Sequence, residues 1–241
     1  MTGWSFFSEQ ITYICDHPVT IMPKATFENL DQKKKERIID AFMAEFTSHR
    51  YDDASISRVV KKLGVAKGSI YQYFNDKLDL YLYLKSYCEQ VKLQYIMHVR
   101  RQDFPDFWLY YRALFEAGVE FDLKSPRESK FLYCIAKNEH SPSVRDYHNE
   151  WRDQALKLFE VALQKEVDGG FLRADVPVKA MSFFLISASV HIGDYMQIFH
   201  GADFDKNVAE GKHVFAEQKD ILLQSVDNFI KMLKNGFNTY N

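Results

Sequence analysis

Between residues 31 and 77, apolar side chains recur at three- and four-residue intervals, and a single glycine breaks the rhythm. Ile38, Phe42 and Phe46, with Ile39 beside them, predict an amphipathic helix over 31–47. Ile56, Val59, Val60 and Leu63 predict a second, Gly64 interrupts it, and Val65, Ile70 and Phe74 resume the pattern. Glycine takes a positive φ without a side-chain penalty, so Gly64 can end one short helix and turn the chain sharply into the next. The second short helix, over 66–74, then presents Lys67, Gly68, Ser69, Tyr71, Gln72 and Tyr73 on its outer face. Asp76 stands where it can cap a further helix that opens at Lys77.

Beyond Lys77 the same helical spacing continues to the end of the chain. A long helix is expected over 77–99, with Leu80, Leu84, Cys88 and Val91 along one stripe. Pro105, Pro126 and Pro142 fall where helices begin, since proline is favoured in a first turn, and they open helices over 105–121, 125–135 and 141–167. Gly169-Gly170 ends the last of these. Two more helices follow, over 177–200 and 217–235. The first is apolar around nearly its whole circumference (Ala180, Phe183, Phe184, Ile186, Ala188) and so must be covered on both sides. The second carries Leu222, Val226, Phe229 and Leu233 as one stripe. No strand-like alternation persists after residue 22, and the expected fold is all-α.

The outer face of the 66–74 segment combines a cation, hydroxyls and an amide around one position without a side chain. Such a surface suits close approach to a phosphate backbone and to base edges. Two short amphipathic helices around a glycine also occur in helical domains that bind nothing. The helix over 31–47 and the basic residue opening the next helix favour a helix-turn-helix with a reading helix.

The stretch from about Lys33 to Leu84 resembles the DNA-binding domain of the TetR-type transcriptional regulators. Ser55-Ile56 matches the opening of that family's second helix, and Gly64-Val65 its turn. Gly68, Ile70, Tyr71, Tyr73, Phe74 and Lys77 match its Gly-x-(Leu/Ile)-Tyr-x-(His/Tyr)-Phe-x-x-Lys signature. Val60 departs from the small alanine common at its position, and Gln72 fills a variable one. The resemblance implies a three-helix head on a C-terminal helical body that binds an effector and dimerises through its last two helices. It implies a repressor that binds a palindromic operator as a homodimer and is released by a small molecule; activators also exist. The expected organisation is an extension over 1–21, a DNA-binding domain over 22–77 and an effector-binding and dimerisation domain over 78–241. Residues 1–21 are either an extra arm or the product of an upstream start codon.

Within this frame Ser55, Lys67, Tyr71, Tyr73 and Lys77 are expected to hold phosphates. Gln72 and Ser69 are candidates for base edges, and Gly68 permits close approach. Aromatic residues make up 15% of the chain, and most are core. A minority are expected to line an effector cavity: Trp108, Phe115, Trp151 and Phe184, with Tyr111, Tyr133, His191 and Tyr195 supplying polar groups. Few cations face inward by pattern, so a small, mostly apolar and neutral effector is expected.

Charge and cysteine usage narrow the alternatives. Residues 22–77 hold 11 Lys or Arg against 8 Asp or Glu, in a chain of net charge −2. That modest excess suits local phosphate contacts rather than a general polyanion binder. Cys15, Cys88 and Cys134 are odd in number and widely spaced, so neither a disulfide framework nor a metal site is expected, and no cofactor. His191, Asp194 and Tyr195 lie close in sequence and could in principle serve an all-helical enzyme, but no catalytic motif accompanies them. An effector-independent DNA-binding protein is the other alternative. The longest mostly apolar run, 180–190, falls well short of the ~20 residues a membrane span needs, and a cytoplasmic protein is expected.

Overall fold

The structure is a computed structural model, and it describes residues 23–136 and 141–237. The expected extension over 1–21, with Cys15, lies outside the described residues. All regular structure among the described residues is helical, in the order α1 (Ala25–Glu28), α2 (Gln32–Ser48), α3 (Ile56–Leu63), α4 (Lys67–Tyr71), α5 (Lys77–Ile96), α6 (Phe107–Lys124), α7 (Pro126–Ala136), α8 (Arg145–Asp168), α9 (Val178–His200), α10 (Phe204–Ala209) and α11 (Lys219–Phe237). Short 3-10 turns at Arg101–Asp103 and Ala216–Gln218 precede α6 and α11.

The described residues form two compact units: 23–92 with 127–136 and 141–148, and 93–126 with 149–237. In the first unit, the head, α2 turns Ile38, Ile39, Phe42 and Phe46 inward against Val59, Val60, Ile70 and Phe74. Residues 127–136 and 141–148 bury Phe131, Ile135 and Val144 and make polar contacts within this unit. Arg127 on α7 pairs with Glu36 and Asp40 of α2 and with Glu128, and donates to the Tyr87 hydroxyl at 3.1 Å. Ser141 and Ser143 each donate to Asp52, at 2.6 and 2.8 Å, and His148 hydrogen-bonds the Tyr81 hydroxyl at 3.3 Å.

The second unit packs α6, α9 and α11 around Phe107, Trp108, Tyr110, Tyr111, Leu163, Leu172, Met181, Leu185 and Phe237. Asp122, fully buried, accepts backbone N–H bonds from Val214, Phe215 and Ala216 and so holds the turn that leads into α11.

Helix starts depart from the sequence expectation where a side chain outbids proline. Asp106, not Pro105, caps α6 by accepting from the Leu109 N–H at 2.8 Å. The helix expected from 141 begins at Arg145, because Ser141 and Ser143 are held by Asp52 and residues 142–144 form a turn over the buried Val144. Helix α10, capped by Asp203 between the left-handed Gly201 and Gly211, was not foreseen.

Candidate nucleic-acid interface

The head positions its outer face through backbone geometry and one buried carboxylate. Gly64 takes φ +70° and ends α3, its N–H reaching back to the Val60 carbonyl, as the turn requires. Ser55 caps α3 by accepting from the Arg58 N–H at 3.3 Å. Glu45, on the inward face of α2 and 3% exposed, accepts from the Ser55 N–H at 2.9 Å and from the Arg58 guanidinium. A carboxylate placed there costs desolvation unless it is paired, so Glu45 fixes α3 against α2. Glu45 was legible as a lone acid among Ile38, Phe42 and Phe46 and was not singled out.

The reading helix is shorter than expected. Helix α4 spans Lys67–Tyr71, and Gln72 ends it. Lys67, Gly68 and Gln72 are exposed, Tyr71 is 41% exposed, and Ser69 is half-buried. The Lys67 ammonium lies 6.0 Å from the centre of the Tyr71 ring. Gly68 has an ordinary φ, and a Cβ built there meets nothing within 4 Å. Neither the backbone nor the packing of this chain demands a glycine at 68, and its effect is to leave the outer surface low at that point.

Two of the expected phosphate ligands sit elsewhere. Tyr73 is not on the outer face: the chain turns inward after Gln72, and the Tyr73 ring, 6% exposed, packs 5.7 Å from Phe27. The Lys77 ammonium donates to the carbonyls of Tyr51 (2.7 Å), Ala54 (3.2 Å) and Asp52 (3.3 Å) and lies 4.4 Å over the Tyr51 ring. Burial and the carboxylates of Asp76 and Asp52 push the Tyr51 phenol up to about 12. Lys77 thus ties the α2–α3 loop to the start of α5, where Asp76 accepts from the Asp79 N–H and Asp79 from the Asn75 N–H.

A strap ahead of α2 was not read from the sequence. The Lys24 N–H donates to the Tyr73 carbonyl and its ammonium to the Tyr71 carbonyl, both at 2.9 Å, and the Thr26 hydroxyl donates to the Gln72 carbonyl. Phe27, fully buried, packs on Tyr73, Phe74 and Tyr83. The strap occupies the carbonyls left open where α4 ends, so the reading helix is held at its C-terminus as well as by the turn.

The residues expected to line an effector cavity do not converge. Trp108, Tyr111 and Phe115 share the core of the second unit. Trp108 packs on Phe107 and Phe237, and the Tyr111 hydroxyl hydrogen-bonds Ser189 at 2.7 Å and the Leu185 carbonyl at 3.2 Å. Burial pushes that phenol up to about 12. Tyr195 packs against Phe199 and Phe229. Phe184 is more than half exposed, and the exposed His191 ring bonds the Ser187 carbonyl one turn back. Trp151 is half-buried on α8, and Tyr133 belongs to the head unit. Helical spacing marks which faces are apolar, and α9 has too many of them for spacing to tell an inward face from an outward one. Nor are inward cations absent: Lys85, 6% exposed, pairs with Glu89, and desolvation holds its ammonium below the usual lysine range. Among the described residues no group of His, Cys, Asp or Glu is arranged to hold a metal ion, and no helix is long and apolar enough to cross a membrane.

The sequence profile of the bacterial regulatory proteins, tetR family, matches residues 38–84, which run from α2 into α5 and contain the turn, the reading helix and the Lys77 anchor. Over this segment, and in the relatives and solved structures that follow, the chain is similar to the DNA-binding transcriptional regulators of the tetR family. The transcriptional repressor AcnR of Corynebacterium glutamicum is 26% identical over 159 residues, 63% of this chain and 75% of AcnR. A crystal structure of a TetR family transcriptional regulator from Chloroflexus aurantiacus superposes with TM-score 0.71 at 26% identity, covering 91% of this chain and all of the other. The Bacillus subtilis regulator FadR, solved in complex with stearoyl-CoA, shares the fold with TM-score 0.59 at 17% identity, over 83% of this chain and 98% of FadR.

Proposed function

We propose that this protein is a tetR-family repressor that binds a palindromic operator as a homodimer and leaves it when a small, mostly apolar effector binds the helical body. The observation that carries the dimer is α9. Its inward face buries Met181, Leu185, Ile192 and Met196, while Phe183, Phe184, Val190, Ile198 and Phe199 remain more than half exposed. Met232 on α11 is exposed as well. Apolar area on this scale marks an interaction site. A second copy related by a two-fold axis covers such a face with itself and supplies the second reading head that a palindrome requires.

In this reading Lys67, Tyr71 and Ser55 hold phosphates, and Gln72 and Ser69 read base edges. Residues 22–77 act as the DNA-binding domain and 78–241 as the effector-binding and dimerisation domain. That division concerns roles, since 127–136 and 141–148 are compact with the head. Within the head, the Arg127 pairs with Glu36 and Asp40 tie α7 to α2, so any shift of α7 would be felt by α2. The aromatic core around Trp108, Tyr111 and Phe115 is the place for an apolar ligand, and Phe184 and His191 serve the dimer face. AcnR is named a repressor, which favours repression here.

The test has two arms. Selection from randomised duplexes is expected to return a two-fold symmetric sequence, and Gln72→Ala to relax one position in each half-site. A reporter behind the protein's own promoter is expected to rise when the gene is deleted; a fall would make the protein an activator.

A further inference from the structure

Several cations of the head are tied to other parts of the fold, and three that cluster at the start of α2 are not. Lys24, Lys35, Arg58 and Lys77 are engaged, with the Tyr71 carbonyl, Glu28, Glu45 and the carbonyls of the α2–α3 loop respectively. Lys33, Lys34 and Arg37, on the first two turns of α2, are exposed, and their side chains meet no acid or hydrogen-bond acceptor among the described residues. These three line a cleft of about 260 Å³ with Asp31, Ile38, Leu63 and Val65. Leu63 and Val65 flank Gly64, so one wall of the cleft is the helix-turn-helix turn itself, and Lys67 opens the reading helix two residues beyond it. The acid in the cleft, Asp31, is occupied in capping α2 through the Lys34 N–H at 3.0 Å.

We propose that this cleft is a second DNA-backbone site, in which Lys33, Lys34 and Arg37 hold phosphates flanking those engaged from the reading helix. The occupant follows from charge and continuity. Three unpaired cations around a small apolar floor complement a polyanion. B-DNA carries a charge for every ~1.7 Å of its axis, so a duplex engaged by α4 presents further phosphates beyond the reading helix. Arg37 can grip one phosphate through two parallel N–H bonds, whereas the two lysines act as point charges. The site adds affinity without sequence information.

The proposal rests on the DNA-binding reading of the head, and the experiment separates the two. Affinity of the full-length protein for its selected duplex, with long flanks, is measured by fluorescence anisotropy across a salt series. The comparison is between wild type and a Lys33→Gln, Lys34→Gln, Arg37→Gln variant. The variant is expected to bind at least ten-fold more weakly at low salt, with a log–log salt slope shallower by about 2–3, near 0.9 per lost phosphate contact. The selected sequence should not change, and a duplex trimmed to the half-sites should abolish the difference. Arg37→Gln alone should shift the slope by about one, which keeps the test sharp if the triple variant folds poorly. An unchanged slope in a wild-type protein that binds steeply overturns the cleft and leaves the reading helix standing; an acidic protein as occupant would give that result. A wild-type protein that binds no duplex overturns both.

Discussion

Removing the Lys77 ammonium separates two roles that the family signature alone does not distinguish. The structure gives this group three carbonyl acceptors at 2.7–3.3 Å and an aromatic face at 4.4 Å. A hydrogen bond to a charged group contributes about 1.5–3 kcal/mol, and a cation over a ring about 0.5–1. The three bonds share one ammonium on a half-buried side chain, so they do not add, and water recovers part of the loss when they go. Lys77→Met, which keeps the apolar stem, is therefore expected to destabilise the head by about 2–3 kcal/mol. For a chain of this length that corresponds to roughly 4–12 °C in melting temperature. Scanning calorimetry measures the shift, and anisotropy across a salt series measures the DNA term at a temperature where both proteins are folded. The salt slope should stay within experimental error of wild type. A slope shallower by about one with an unchanged melting temperature would refute the reasoning, because it would show the ammonium on a phosphate and not on the α2–α3 loop.

Phe27→Ala is expected to cost about 3–5 kcal/mol, since a fully buried ring leaves a cavity against Tyr73, Phe74 and Tyr83; urea unfolding measures it, and a cost below about 1 kcal/mol would mean the strap does not brace the reading helix. Ile198→Glu, on the exposed face of α9, should turn dimers into monomers in sedimentation velocity while leaving the helical circular-dichroism signal intact. Burial, and then the Lys85 charge, lower the His148 imidazole to about 4. The unfolded chain titrates near 6.5, so it binds the proton first, and stability present above that value falls as the pH drops from about 6.5 to 4, by at most about 1.4 kcal/mol per unit. His148→Asn should flatten that slope in urea titrations at pH 7 and pH 5.

The parts of the head that follow from local rules were legible in the sequence. Gly64 at a positive φ, Ser55 as a cap, Asp76 ahead of α5 and the stripe Ile38, Phe42, Phe46 all act within one or two helical turns, which spacing reports directly. The fate of Lys77 and Tyr73 was not legible. Whether a side chain after α4 faces out depends on where that helix stops, and it stops at Tyr71 because the strap's Lys24 and Thr26 take up the carbonyls of Tyr71, Gln72 and Tyr73. Those partners lie some 46 residues apart. The start of α8 shows the same limit: Pro142 signals a first turn, but Asp52, distant in sequence, draws Ser141 and Ser143 out of it. The supposed effector residues failed to gather for a different reason. Aromatic periodicity identifies buried faces, and in Trp108, Tyr111 and Phe115 it found core; on α9 it could not tell the face that meets this chain from the one this chain leaves open.

The central claim is that the face of α4 around Gly68 lies against DNA, and Gly68 tests it most directly because the protein itself has no need of a glycine there. A Cβ at that position meets nothing within 4 Å, and replacing glycine improves helix propensity by up to about 0.8 kcal/mol, so Gly68→Leu should melt at or slightly above the wild-type temperature. Titration of the selected duplex with Gly68→Leu is the decisive measurement. Affinity reduced ten-fold or more in a protein of undiminished stability is the expected result; wild-type affinity would contradict the account, since DNA would then not approach this face.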